Sequence, residues 1–469
     1  MQITPPHMIS TIFQWPHWLS VHGLLVAFGL LIYVLTTHSL KQRRAPTAAI
    51  SWVLTIALIP YVGLPLYLLF GTRKVVHRRY ASHTKIPVPD LLSDDTWPQQ
   101  LAASMGQPPV ASYRNLRLHD DGKDALRCLW ELIESAEREL VLCTFILGND
   151  PMGDALMTRL IDKARAGVKI SLLIDGLGRW MGGGTNLHKL RAAGVQVVLF
   201  GPILHVPFQS STNLRNHRKM VVADGLRLWC GGRNFADEYF EGVGKLERWR
   251  DLSFDLSGPL VAQARELFER DWEFATGTPR MERNRAAQVV QEPFAQLIAS
   301  GPDQADDTVH DLLVTACFKA RRRIIVVTPY FVPGEALLMA LSLAARRGVI
   351  VDLVLPRRSN HHAADFARHR ALRELATAAG RVWLVPYMLH AKAVVIDDGL
   401  AFSGSANLDS RSLFLNYELM VAFYAAGDVE RFARFIEKHR EAAARYQARV
   451  PRLLRDLTEG LVLWLAFQL

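Results

Sequence analysis

One pattern is spelled twice in this chain: His-x-Lys-x4-Asp-x6-Gly-(Gly/Ser)-x-Asn, and the second copy keeps every spacing of the first. It runs from His217 through Lys219, Asp224 and Gly231-Gly232 to Asn234, and again from His390 through Lys392, Asp397 and Gly404-Ser405 to Asn407. Such a repeat restricts the chain to folds that present one supersecondary unit twice. The flanking sequence agrees. Leu140-Val-Leu-Cys-Thr-Phe-Ile-Leu, a helical stretch from Asp154 and Gly167-Val-Lys-Ile-Ser-Leu-Leu-Ile form one copy. Ile324-Ile-Val-Val-Thr-Pro-Tyr-Phe, a helical stretch from Glu335 and Gly348-Val-Ile-Val-Asp-Leu-Val-Leu form the other. Apolar strand-like runs alternating with helical patterns predict an α/β build. Gly194 to His217 spans 23 positions against 10 from Gly380 to His390, so the first copy carries about thirteen extra residues, including Gly201 to Asn213. That insertion is a candidate substrate loop.

The motif residues suit phosphodiester chemistry. In an extended strand side chains alternate, so His390, Lys392, Val394 and Ile396 share one face, as do His217, Lys219 and Val221. Asp224 and Asp397, although part of the catalytic motif, then point the other way, and we expect them to support the local architecture. A phosphate is well met by a Lys ammonium and an Asn amide beside a His, whereas a carboxylate there repels it. The small pairs Gly231-Gly232 and Gly404-Ser405 let backbone approach a ligand, making Ser405, Asn234 and Asn407 candidate phosphate contacts. Two copies about a pseudo-twofold axis would set one imidazole on each side of a phosphorus atom, as in-line displacement requires. Each imidazole needs a carboxylate to fix its tautomer. Asp251 and Glu418, 34 and 28 positions after the histidine of their own copy, are the candidates. No metal ligand set or cofactor motif accompanies them: His361-His362 lacks a matched carboxylate or Cys set and reads as a loop or substrate rim. Arg321-Arg322-Arg323 reads as surface charge, and Gly182-Gly183-Gly184 as a flexible loop without P-loop context.

Charge separates the chain into two parts. The net charge is +10, yet residues 1–89 contain no Asp or Glu and eight basic residues, leaving 47 basic and 45 acidic residues in the remainder. A body at +2 does not fit a nucleic-acid partner. The basic residues (Lys41, Arg43, Arg44, Arg73, Lys74, Arg78, Arg79 and Lys85) lie beside the most apolar stretch, where anionic headgroups contribute about 1 kcal/mol of attraction each. Trp18 to Thr37 is long and apolar enough to cross a bilayer, with no signal-peptide cleavage pattern. Thr47 to Phe70 carries Pro60, Gly63 and Pro65, and both of its flanks are positive. It either forces one basic flank outside or is re-entrant with both flanks cytoplasmic. We expect a membrane anchor over 1–80, a linker over 81–110, catalytic domains over 111–285 and 286–469 on the cytoplasmic side, and a short apolar tail at Gly460–Leu469. Cys128, Cys143, Cys230 and Cys317 lack any paired spacing and read as buried free thiols in a reducing compartment.

These motifs resemble the phospholipase D superfamily, and their context is similar to bacterial cardiolipin synthases. The resemblance rests on Asn216-His-Arg-Lys219, Gly231-Gly-Arg-Asn-Phe, Asp237-Glu-Tyr, Trp249-Arg-Asp251, Thr328-Pro-Tyr-Phe-Val-Pro333 and Ser405-Ala-Asn-Leu-Asp-Ser-Arg-Ser-Leu-Phe-Leu-Asn416-Tyr-Glu418. It extends to Arg43-Arg44, Gly63, Tyr67 and Gly71, and so to nearly the whole chain. The resemblance implies two tandem α/β/α domains and a bacterial inner-membrane enzyme. It also implies a double displacement in which His217 forms a phosphatidyl-histidine and His390 acts as acid, then base. The expected activity is a phosphatidyltransferase making cardiolipin and glycerol from two phosphatidylglycerol molecules. The alternatives are a phospholipase D with water as acceptor, a nuclease, and a non-catalytic membrane scaffold. The loop around Gly182 to Thr185 departs from the family pattern and leaves headgroup choice open; the sequence gives no oligomeric state.

Overall fold

The computed structural model describes residues 17–39, 46–71, 73–74, 96–201, 213–240, 248–278, 292–451, 455 and 458–459. Residues 202–212 of the expected substrate loop, the start of the linker, the tail and most of the basic cluster lie outside them. Two sheets form the body, and they have the same strand order. The first runs Arg114–His119, Ser253–Ser257, Arg227–Gly231, Met220–Ala223, Glu139–Thr144, Lys169–Asp175, Gln196–Phe200. The second runs Phe294–Ser300, Glu418–Phe423, Leu400–Gly404, Ala393–Ile396, Arg323–Val327, Ile350–Pro356, Arg381–Val385, with Ala111–Ser112 and Ala444–Arg445 added at its edges. The sequence repeat is therefore a repeat of seven strands.

Helices cover both faces of each sheet. On the outside, Gly122–Glu134 buries Ala125, Cys128, Leu129, Leu132 and Ile133, a helical spacing that makes one apolar stripe, and Asp121 caps its first turn. Between the sheets lie Leu260–Thr276 and Ala426–Glu441. Their apolar faces, with Leu228, Phe254, Ile325, Val395 and Phe423, belong to one core shared by both halves. The two domains are thus fused through a common interior. All four cysteines are buried and free.

Two expectations about the domain edges need correcting. The second part of the expected linker contains the helix Trp97–Ser104, whose Ala102 is packed in the outer core of the second half. Gln107 accepts the Ala299 N–H at 2.8 Å. Ala111–Ser112 then pairs with the second sheet, so residue 111 does not open the first domain. The Pro- and Gln-rich composition concealed a helix that starts with Pro98 in its first turn, where the missing N–H costs nothing.

The apolar N-terminal region forms three helices. His17–Ser39 has 23 residues, about 34 Å, and Val21–His38 is long and apolar enough to cross a bilayer. Pro46–Leu58 and Pro60–Phe70 fold back on each other at Ile59: a Cβ on Gly63 would lie 2.7 Å from the Thr55 carbonyl oxygen. The segment Thr47 to Phe70 is thus a hairpin of two short helices. Tyr33, Trp52, Ile56 and Tyr67 pack together inside, while Leu24, Phe28, Leu31, Leu54, Leu58 and Leu66 are exposed. Past the hairpin, Arg73 and Lys74 both pair with Asp307, at 2.6 and 2.9 Å. The apolar helices are therefore fastened to the second half of the body.

Candidate active site

Each motif strand runs antiparallel to the first strand of its βαβ unit, so its leading residues emerge at the carboxyl end of the parallel strands. Regular pairing begins only after the lysines, at Met220 and Ala393, leaving His217, Lys219, His390 and Lys392 on extended lead-in backbone. The Gly231-Gly232 and Gly404-Ser405 turns close the neighbouring strands at the same end. Neither first glycine tolerates a side chain, because a Cβ would lie 2.4 Å from the Leu252 carbonyl oxygen or 2.1 Å from that of Leu419.

Asp224 and Asp397 sit at the opposite end of the strand, a larger separation than side-chain alternation alone implies. Both adopt left-handed backbone, φ 52° and 49°. Asp224 accepts the N–H groups of Glu137, Arg138 and Glu139, and Asp397 those of Arg321, Arg322 and Arg323, all at 2.8–2.9 Å. Burial would raise the Asp224 pKa, but these three donors outweigh it and hold the carboxyl below its usual range. Their place is in strand architecture and not among the reacting groups. Asp397→Ala should accordingly destabilise the fold by about 2–4 kcal/mol, since it strands three donors and puts alanine in left-handed backbone. Chemical denaturation of purified protein measures this; a loss under 0.5 kcal/mol would contradict it.

The halves cross over at the histidines. The His217 N–H donates to the Tyr417 carbonyl at 2.9 Å, and the His390 N–H to the Arg250 carbonyl at 2.6 Å. Each histidine is thereby set beside the carboxylate that follows in the other half. His217 Nδ1 lies 3.0 Å from Glu418 Oε1, and His390 Nδ1 lies 2.7 Å from Asp251 Oδ2. The two carboxylates are the expected ones, but their assignment is exchanged: neither serves the histidine of its own copy. Sequence distance cannot reveal a crossing made by a pseudo-twofold axis. The bond to Glu418 favours the proton on His217 Nδ1 and leaves Nε2 as the lone pair, and Asp251 favours the same tautomer at His390.

The site is buried, charged and shared. Lys219, Lys392, Asp251 and Glu418 are almost entirely removed from solvent. Burial pushes Lys219 down to about 7 and Lys392 to about 8, with the carboxylates opposing. Burial would raise Asp251, yet Lys392 and His390 hold it at about 2. Burial, then Lys392, lowers His390 to about 3, and burial lowers His217 as well. Lys392 acts on His217 and Lys219 acts on His390, so the charges of each motif reach the histidine of the other. Two histidines, two lysines and two carboxylates form one centre.

The halves differ in ways that matter for chemistry. Both lysines donate to the carbonyl of their own histidine, Lys219 at 2.6 Å, but Lys392 Nζ also lies against the His390 ring, 2.6 Å from Nδ1 and 3.1 Å from Nε2. Among the described residues no donor meets His217 Nε2. Ser405 Oγ donates to Glu418, and the hydroxyl accepts the Leu419 N–H at 2.9 Å. It therefore steadies the carboxylate, a role the sequence did not suggest for this expected phosphate contact. Its counterpart Gly232 can carry no side chain, because a Cβ would lie 2.2 Å from Asp251 Oδ1. Asn234 accepts the Ile146 N–H at 3.2 Å and donates to Tyr239 Oη at 2.7 Å, which pins it at the site with one amide N–H uncommitted. Asn407 is buried with its Oδ1 unpartnered.

Aromatic walls were not named from the sequence as part of the site. Phe145 meets the His217 ring at 5.2 Å between centroids, while Tyr239, Trp249 and Tyr330 meet His390 at 5.2, 5.4 and 6.2 Å. Their only signal was membership of the flanking segments around Asp237 to Tyr239, Trp249 and Thr328 to Pro333. His361 and His362 stand exposed at the start of the helix His362–Thr377, without further metal-ligating partners among the described residues. Gly182 to Gly184 form the turn after the helix Gly176–Met181, with Trp180 and Met181 exposed.

Comparison with known proteins agrees with this geometry. A family model described as cardiolipin synthase, PLD-like domain, matches residues 129–272 and 313–440, and one described as Phospholipase_D-nuclease N-terminal matches residues 25–71. The cardiolipin synthase of Geobacillus kaustophilus is 32% identical over 440 residues, 88% of this chain and 86% of that protein. Cardiolipin synthase A of Pseudomonas syringae is 33% identical over 410 residues, 82% and 84% of the respective chains. A solved structure of phosphatidylserine synthase from Haemophilus influenzae is 13% identical, with a TM-score of 0.60, covering 79% of this chain and 98% of that one, and so shares the fold. The apolar N-terminal helix and these bacterial relatives together point to membrane association. The duplicated motif, the paired seven-stranded sheets and these relatives show that the chain belongs to the cardiolipin synthase family of phospholipase D-like enzymes.

Proposed function

We propose that the enzyme joins two phosphatidylglycerol molecules into cardiolipin and glycerol through a phosphatidyl-histidine on His217. The observation that carries this reading is the crossed arrangement, which gives one buried centre two imidazoles of fixed tautomer and two ammonium groups. In the first step His217 Nε2 attacks phosphorus, the bond to the glycerol oxygen breaks, and that oxygen takes a proton from His390. In the second, the hydroxyl of another phosphatidylglycerol gives its proton to His390 and attacks phosphorus, and the N–P bond breaks back to His217. The P–N bond keeps the transfer potential of the phosphodiester, so no nucleotide is required. Lys219, Lys392, Asn234 and Asn407 would stabilise charge on the non-bridging oxygens.

Among the described residues no donor meets His217 Nε2, which suits the nucleophile, whereas the Lys392 ammonium lies 2.6 Å from Nδ1 and 3.1 Å from Nε2 of the His390 ring. An incoming phosphodiester anion would draw the Lys392 ammonium away and favour a proton on His390, readying it as the acid. The short helices and basic flanks support catalysis at an anionic bilayer surface, with the body on the cytoplasmic side of the inner membrane.

The charge state of the lysines gives a sign to the pH dependence. Each ammonium is present below its pKa and is lost as pH rises through it. The kcat/KM for lipid should therefore fall above about pH 7–8, as Lys219 and then Lys392 lose their protons in the free enzyme. A profile still rising at pH 9.5 would contradict this.

Mass spectrometry of the products made by purified enzyme from phosphatidylglycerol of defined acyl chains tests the reaction. Equal amounts of cardiolipin and glycerol are expected. Phosphatidic acid as the sole lipid product would make the enzyme a hydrolase on the same centre.

A further inference from the structure

The two halves of the centre present different surfaces to whatever lies beyond each histidine. On the His217 side, Phe145 and Ile146 follow the strand Glu139–Thr144, and the helix Gly176–Met181 packs hard against them. A Cβ on Gly178 would lie 1.8 Å from the Phe145 carbonyl oxygen, so helix and strand are in backbone contact there. In the second half the pseudo-twofold puts Tyr330 where Ile146 stands. No helix follows the strand Ile350–Pro356 directly; the chain instead runs through exposed Arg357, Arg358, Asn360 and His361 before the next helix begins.

These residues make a polar ledge beside His390. Tyr330 Oη donates to Asn360 Oδ1 at 2.5 Å, and the Tyr330 ring lies 6.2 Å from His390 and 6.1 Å from His361, centroid to centroid. The bond leaves the phenolic oxygen able to accept and the Asn360 amide nitrogen able to donate, with no other partner for that nitrogen among the described residues. His361 Nδ1 accepts the Ala364 N–H, so its neutral ring carries a proton on the exposed Nε2. An acceptor and two donors within one ledge complement alcohol hydroxyls, each of which both donates and accepts.

We propose that Tyr330, Asn360 and His361 form the subsite for the headgroup alcohol, a vicinal diol that leaves in the first step and enters on the acceptor lipid in the second. This rests on the reading that His217 is the nucleophile. In-line displacement places both the departing and the arriving oxygen opposite His217, which is the His390 side, where the ledge stands. The rings of Tyr239 and Trp249 also meet His390, at 5.2 and 5.4 Å between centroids, and Tyr239 Oη accepts from Asn234 beside the phosphate-facing groups. The ledge joins Tyr330, after the strand Arg323–Val327, to Asn360 and His361, after the strand Ile350–Pro356.

The test compares two substrates for the wild-type enzyme and for Tyr330→Phe and Asn360→Ala. One is phosphatidylglycerol; the other carries p-nitrophenol as leaving group, which has no diol. The ratio of kcat/KM for phosphatidylglycerol over that for the p-nitrophenyl ester should fall about tenfold in each variant, as expected for loss of one hydrogen bond to the alcohol. In addition, phosphatidic acid should rise relative to cardiolipin as water competes with a poorly held acceptor. An unchanged ratio of the two specificities, in variants with wild-type thermal midpoints, would overturn the subsite. If wild-type enzyme yields only phosphatidic acid, the transferase reading fails, but glycerol is still the leaving group and the specificity ratio still decides the subsite.

Discussion

Replacing His217 by Ala is expected to lower turnover of phosphatidylglycerol at least about 10⁴-fold and to abolish every trace of a covalent phospholipid adduct. Among the described residues His217 Nε2 meets no donor, whereas the His390 ring lies against the Lys392 ammonium, so loss of His217 removes the nucleophile. His390→Ala should be as inactive on phosphatidylglycerol, whose glycerol oxygen leaves only with a proton. With the p-nitrophenyl ester it should still release a burst of nitrophenol and hold the phosphatidyl group, because that leaving group needs no acid. The two variants thus differ on one substrate and agree on the other. Turnover within tenfold of wild type in either variant on phosphatidylglycerol would remove that histidine from the chemistry.

The crossed carboxylates give the second large effect. Glu418→Gln and Asp251→Asn retain volume while removing the charge that fixes Nδ1–H, and each should cost about 10²–10⁴ in kcat on phosphatidylglycerol. Their signatures should be exchanged relative to sequence order. Glu418→Gln, although in the second copy, should slow formation of the adduct on His217 even with p-nitrophenol leaving. Asp251→Asn, although in the first copy, should spare that burst and slow the later transfer through His390. Rapid-quench kinetics on both variants separates the steps. The reverse pattern would mean that each carboxylate serves the histidine of its own copy.

Much of this was legible in the sequence because duplication fixes more than any single motif. The repeated apolar runs from Leu140 and Ile324 became equivalent strands, Met220–Ala223 and Ala393–Ile396 became equivalent motif strands, and the matching turns closed at one end of each sheet. What was not legible depends on contact across the pseudo-twofold. Asp251 follows His217 by 34 residues yet bonds His390, because Arg250, just ahead of it, pairs with Leu389 only after the halves dock. Ser405 read as a phosphate contact because a small pair lets backbone approach a ligand; its bond to the buried Glu418 needed the fold to be seen. The helix Trp97–Ser104 was hidden by its Pro and Gln content, and its docking depends on the outer core of the second half.

The most direct measurement locates the covalent phosphate. Asp251→Asn enzyme, mixed with the p-nitrophenyl ester and quenched within one turnover, can be digested and its peptides weighed. The phosphatidyl mass should appear on the peptide carrying His217, and should be absent when His217 is also replaced. A phosphatidyl group on the His390 peptide, or free phosphatidic acid formed with no modified peptide at any time point, would contradict two crossed histidines acting on one phosphorus.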